Sequence, residues 1–297
     1  MGWRGSIAAA LTVAVITAAA DDAQAFCRTT TCDPNKPADH CRIDEHGCTR
    51  SGAPLSWREL PIAYRFHAKG SAKVNRDDAR EAVRAAFQRW TDVTCPSGRR
   101  TSLRFKEEDD IVATMPESPH ARGAQHFGIY FRDDKWSAKD ADSTLALTTQ
   151  TFGLVNGYVD QSDIEINTTT ETFATSDAEK GVDLQAVLTH EVGHYIGLAH
   201  SKDPDSIMVA RYCQSGERCD EGKTDARRLS NDDRAAVCAL FPPSGIAGVA
   251  YVDPDAGSAC SAAPSSAGLS RATWLPLCAA AFVIAALRRR ARRFSSE

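Results

Sequence analysis

Neither of two apolar runs in this 297-residue chain, residues 7–20 and 274–287, reaches the ~20 residues that span a typical bilayer. A plain membrane-spanning helix is therefore disfavoured at the first. Charge of one sign is also missing. Lys and Arg total 35 against 39 Asp and Glu, a net charge of −4. A mildly acidic chain lacks the basic footprint of a nucleic-acid binder. The 10 cysteines contain no C-x-x-C pair, which argues against a four-cysteine zinc knot near the start. No stretch carries the spacing of a known calcium loop.

What is present begins with two end segments. Arg4, the apolar residues 7–20 and the small-x-small sequence Ala23-Gln24-Ala25 read as a secretory signal, residues 1–25, leaving Phe26 first. At the other end, residues 274–297 join the second apolar run to Arg288, Arg289, Arg290, Arg292 and Arg293. Arginines after an apolar run keep their side in the cytoplasm and everything upstream outside it. The run is short for an anchor, although arginine snorkelling extends it. Residues 244–273 between body and tail contain an Ala/Ser/Gly-rich linker. The tail resembles the cysteine–transmembrane–arginine sorting signals of some bacterial surface proteins, with Cys260 as the candidate processing cysteine. The simpler alternative is a tail anchor.

Export implies an oxidising compartment, and cysteine usage agrees. Cys27, Cys32, Cys41, Cys48, Cys95, Cys213, Cys219 and Cys238 form an even set in the body. Local pairing is expected within 27–48 and for Cys213 with Cys219; spacing leaves the connectivity open. Residues 26–55 read as a cystine-stapled extension without an apolar period.

Residues 60–67 partly alternate and predict a first strand. Asn75 then caps a helix reaching Trp90, with Ala79, Val83, Ala86, Phe87 and Trp90 on its buried face. Further strands are predicted at 102–106, 124–132, 145–149 and 158–167. The fourth of these five strands, 145–149, is the candidate edge for an extended peptide. Asp160, Asp163 and Glu165 cluster in the last and raise a Ca2+ site as a possibility. Ser230 predicts the cap of a closing helix to Leu240, with Asp232 and Asp233 in its first turn.

The chemistry is concentrated in His190-Glu191-Val192-Gly193-His194-Tyr195-Ile196-Gly197-Leu198-Ala199-His200-Ser201. On a helix predicted over 181–196, His190 and His194 lie one turn apart on one face and can share one metal ion. Gly197 permits a left-handed turn that returns His200 as a third ligand. Three protein ligands leave a fourth position open, the pattern of a catalytic rather than structural Zn2+. Glu191 stands beside the metal as the candidate general base.

This stretch resembles the H-E-x-x-H-x-x-G-x-x-H signature of metzincin metallopeptidases. Ser201 resembles the matrixin branch, and Ser206-Ile207-Met208 resembles the family's Met-turn, whose methionine lies beneath the metal. The resemblance is dense over 182–208 and weaker over 57–241. It implies an α+β fold for residues 56–243: a mixed twisted sheet, a backing helix, the zinc-binding helix and a small C-terminal subdomain. It also implies one catalytic Zn2+, a protein or peptide substrate, and a monomeric zinc metalloendopeptidase. Matrix metalloproteinases carry a second, structural zinc held by several histidines. Only His120 and His126 stand in that region here, and they read as loop or surface residues. Matrixins often have an inhibitory propeptide with a zinc-capping cysteine. The extension here is too short to be one, and its four cysteines can pair among themselves. The competing functions are a non-catalytic, zinc-stabilised surface adhesin and a zinc hydrolase of a non-peptide bond.

Overall fold

The computed structural model describes residues 26–113, 127–136, 144–176, 179–210 and 227–248 in full, and the backbone of Arg292–Ser295. The signal at 1–25, His120, His126, Cys213, Cys219, Cys260 and the apolar run at 274–287 lie outside the described residues. Among the described residues no helix is long and apolar enough to cross a membrane.

The alternating stretch after the extension forms β1 (Ile62–Phe66). Helix α1 (Arg76–Thr91) follows, and the Asn75 side chain accepts from the Asp77 and Asp78 amides as expected. Its buried stripe is Ala79, Ala82, Val83, Ala86, Phe87 and Trp90. Then come β2 (Phe105–Glu107), β3 (Gly128–Arg132), β4 (Ala146–Phe152) and β5 (Val159–Asn167). Short strands β6 (Phe173–Ala174) and β7 (Val182–Asp183) pair in parallel, leading into α2 (Leu184–Tyr195). Helix α3 (Asn231–Leu240) closes the body, with a capping box between Ser230 and Asp233. This is the expected α+β architecture.

The main sheet has the order β2-β1-β3-β5-β4-β8, where β8 is Arg292–Ser295. Strands β1, β2, β3 and β5 run parallel to one another; β4 runs antiparallel to β5. The expected edge strand therefore has β5 on one side and, on the other, a backbone segment read from sequence as part of a membrane tail. That pairing is antiparallel, from Phe152 opposite Arg292 to Thr149 opposite Ser295. A cytoplasmic position for the tail arginines and this pairing are mutually exclusive placements of one segment.

Helices α1 and α2 pack together on the core side of the sheet. Trp90, buried on α1, donates its indole N–H to the Thr189 carbonyl of α2 at 2.9 Å. Tyr195, buried on α2, reaches the Ala63 carbonyl of β1 at 2.7 Å. These two bonds set the depth at which α2 crosses the core. Helix α2 starts later than its predicted residue 181. Gly181 has φ +145°, Val182 is drawn into pairing with Phe173, and Asp183 becomes the cap by accepting from the Ala186 amide.

Three disulfides are formed among the described residues. Cys27–Cys48 and Cys32–Cys41 staple the extension, so all four of its cysteines are paired. Cys95–Cys238 ties the end of α1 to α3.

Candidate metal centre

Helix α2 places His190 and His194 on one face, and Gly197 at φ +100° turns the chain back so that His200 faces them. The three rings converge through their Nε2 atoms. Nε2 of His194 lies 3.0 Å from that of His190 and 3.2 Å from that of His200. Nδ1 of His190 points at the Ile207 carbonyl at 2.6 Å, and Nδ1 of His194 at the Leu198 carbonyl at 2.9 Å. A carbonyl only accepts, so both Nδ1 atoms carry the proton and both Nε2 atoms present lone pairs.

Three ring nitrogens within 4.8 Å of one another can serve one cation together. Two imidazole nitrogens bound tetrahedrally to one zinc lie roughly 3.3 Å apart, since each Zn–N bond is about 2.0–2.1 Å. The donor set therefore fits a three-histidine zinc site. Burial holds His194 well below its ordinary pKa, and the neighbouring histidines lower it further. Burial lowers His200 as well. Both are thus neutral, which metal ligation requires.

Glu191 follows His190 on α2. Its side chain is buried, and Thr148 of β4 donates to its Oε2 at 2.6 Å. Burial pushes the Glu191 carboxyl up to about 7, although the Thr148 hydrogen bond opposes the shift. A carboxyl balanced near neutrality suits proton transfer in both directions.

Met208 packs against α2 at Gly193, one position before His194. A Cβ added to Gly193 would stand 2.1 Å from the Met208 Sδ and 3.0 Å from Trp90. Only glycine lets the methionine approach α2 this closely. The methionine loop is tied down from α3. Asp233, almost fully buried, accepts the Ile207 amide at 2.8 Å, while the Ile207 carbonyl faces His190. Ser201 accepts from no ligand but donates to Asp232 at 2.9 Å, and its amide reaches the Met208 carbonyl at 2.8 Å.

The three histidines named from sequence thus converge, and Glu191 is the helix neighbour of the first of them. The supporting residues Thr148, Gly193 and Asp233 were not assigned a role at the site from sequence. Thr148 carries no local signal, because its role depends on β4 lying over α2. Asp233 reads from sequence only as a favourable charge in a helix's first turn.

The acidic residues of β5 do not converge. Asp160 is paired with Arg58 at 3.5 Å, Asp163 accepts the Gly128 amide at 2.8 Å, and Glu165 is bonded to the buried Arg132. No grouping of metal-ligating side chains other than the three histidines is found among the described residues. The calcium expectation gains no support from these three carboxylates.

A family model described as Matrixin matches residues 56–242. Matrix metalloproteinase-C of Caenorhabditis elegans is 26% identical over 198 residues, covering 65% of this chain and 30% of that protein. The hatching enzyme of Paracentrotus lividus is 29% identical over 188 residues, covering 63% and 26%. The macrophage metalloelastase of Oryctolagus cuniculus is 28% identical over 171 residues, covering 56% and 31%. The chain thus spans less than a third of the length of these relatives. With the matched region covering well over half of the sequence, and the histidine triad inside it, the chain belongs to the matrixin family of zinc metalloendopeptidases.

Proposed function

We propose that this protein is an exported zinc metalloendopeptidase that cleaves extended peptide segments, with His190, His194 and His200 as metal ligands and Glu191 as general base. The observation that carries the reading is the convergence of three Nε2 atoms, with a buried carboxyl poised near pH 7 on the next residue of the helix. Zinc, when bound by these histidines, supplies Lewis acidity toward a carbonyl oxygen and toward water. The residues do the rest. Glu191 takes the proton of the attacking water through a carboxylate oxygen and delivers it to the leaving amine. Thr148 holds the carboxylate against β4, so base and peptide share one frame. Arg292–Ser295 pairs with Thr149–Phe152, so the Ala146–Thr148 stretch is the part of β4's outer side to which an extended peptide would add.

A purely structural zinc site has no need to bury an ionisable carboxyl beside its ligands, and this disfavours the adhesin. The three disulfides are consistent with an oxidising compartment and hence with export. A digest of a peptide library by the purified protein, with and without a zinc chelator, tests the activity. Cleavage abolished by chelation and restored by zinc is the expected result. Zinc retained at full occupancy by His194→Ala would sink the ligand assignment.

A further inference from the structure

We propose that the cystine-stapled extension is a positioning element for the metal centre, and that the Thr29 hydroxyl is its working group. The inference rests on the zinc-ligand reading above. The extension is short and mostly turns, yet it docks by specific bonds. Arg28 forms an antiparallel bridge with Leu198. The Thr29 amide donates to the Gly197 carbonyl at 3.0 Å, and the Ala199 amide donates to the Cys27 carbonyl at 2.9 Å. On its other side the Thr29 carbonyl accepts from the Leu55 amide at 2.8 Å. Thr29 is thereby buried between the body and the turn that leads to His200.

The decisive contact is at the Leu198 carbonyl. It accepts the Thr29 hydroxyl at 3.0 Å and faces His194 Nδ1 at 2.9 Å. A carbonyl oxygen has two lone pairs, so both donors are served at once. Held from two sides, the oxygen fixes both the tautomer of His194 and the plane of its ring. The same turn carries His200, so one clamp acts on two of the three ligands. The extension also brackets His200 further along. Asp232 takes the Ser201 hydroxyl and the Phe26 backbone N–H. A Cβ on Gly47 would lie 2.6 Å from Lys202 Cε, so the hairpin tip rests against the residue two beyond His200. The Cys27–Cys48 bridge joins the two contacting parts of the extension into one unit.

Partners of this kind set ligand orientation, and their loss typically weakens metal binding by about 10- to 100-fold. The test is zinc affinity of the full chain, by competition with a chromophoric chelator, for wild type, Thr29→Val, Thr29→Ser and His194→Ala. Thr29→Val keeps the shape and removes the hydroxyl; it should bind zinc roughly 10- to 100-fold more weakly. Thr29→Ser restores the hydroxyl and should return to within about threefold of wild type, the rescue that mere packing would not give. Wild-type affinity in Thr29→Val, or equal losses in both Thr29 variants, would overturn the inference while His194→Ala still reports on the ligand set. Zinc held as tightly by His194→Ala as by wild type would take both readings down together. Should Thr29→Val not fold, hydrogen exchange on the wild type decides. By reciprocity, zinc should slow exchange of the Thr29 and Ala199 amides; unchanged rates at both would reject the clamp.

Discussion

Two of the groups of ionisable side chains among the described residues, one at the end of α2 and one on β3 and β5, differ in how their members meet. At the end of α2, three imidazoles turn their Nε2 atoms toward one point. On β3 and β5, Arg132 and Glu165 are both buried and bonded to each other, and Asp163 is spent on the Gly128 amide. The first group offers three nitrogen ligands to a cation; the second has a cation of its own in the guanidinium. Sequence spacing alone does not separate the two cases, since Asp160, Asp163 and Glu165 also sit close together along the chain. Balance is visible only when Arg132 is seen against Glu165. A metal centre is recognised here by ligand atoms that converge on one point, rather than by the density of acidic residues along the chain.

The largest effect should come from removing the base that the first group keeps beside it. Glu191→Gln should retain zinc, because Glu191 is not a ligand, and lose about two to four decades in turnover. Near-normal turnover of the zinc-loaded variant would remove Glu191 from the mechanism.

Next in size is an attack on the balanced group. Arg132→Met leaves Glu165 buried without its counter-charge and should cost about 3–5 kcal/mol, read by denaturant unfolding. Adding Glu165→Met should return most of that loss, because a paired charge replaced by apolar groups is close to neutral. Equal stability of the Arg132→Met single variant and wild type would show that the pair carries no such weight.

A third effect is pH-dependent and belongs to the metal-free protein. The folded-state pKa of Glu191 is raised above its ordinary value of 4.5 to about 7. Below the ordinary value the carboxyl is protonated whether folded or not, and its burial carries no ionisation cost. As pH rises toward 7 the unfolded chain ionises first, so folded stability falls. Above 7 the cost levels off at about 3 kcal/mol, from the size of the shift. Glu191→Gln should therefore be more stable than wild type by about that amount at pH 8, and by nothing at pH 4. Parallel stability curves for the two proteins would refute the burial account.

The smallest effect expected is steric. Gly193→Ala presses a methyl group into Met208 and should cost about 1–3 kcal/mol as overpacking. Met208→Ala in the same chain should relieve part of that cost; a doubled loss would show that the methionine is not what Gly193 makes room for.

Much of the site is legible without coordinates because its ligands are local. His190, His194, Gly197 and His200 fall within eleven residues, and helix periodicity with one glycine turn is enough to bring them together. The helix caps Asn75 and Ser230 are legible for the same reason, each bonding within its own first turn. What escapes is whatever depends on pairing between distant segments. Strand β4 continues past its predicted end at 149 to Phe152 because β5 pairs with it that far. Thr148 becomes the partner of Glu191 only when β4 lies over α2. Thr29 is separated from Leu198 by 169 positions, and nothing near it in sequence announces the contact. The placement of Arg292–Ser295 beside β4, where a cytoplasmic tail was expected, is likewise a matter of tertiary pairing.

The Cys95–Cys238 bridge has a consequence for how this protein would be seen to break. It closes a loop of 143 residues that contains β2 through β7, the whole of α2 and Met208. A peptidase is exposed to its own activity, and a single cut between those two cysteines divides the polypeptide without separating it. The two pieces stay covalently joined, and the histidines keep their place if the surrounding packing holds. On a denaturing gel such a nicked molecule would migrate near full length until a thiol reductant is added, and only then resolve into fragments. Intactness judged without reduction would therefore overstate how much of the chain is still continuous.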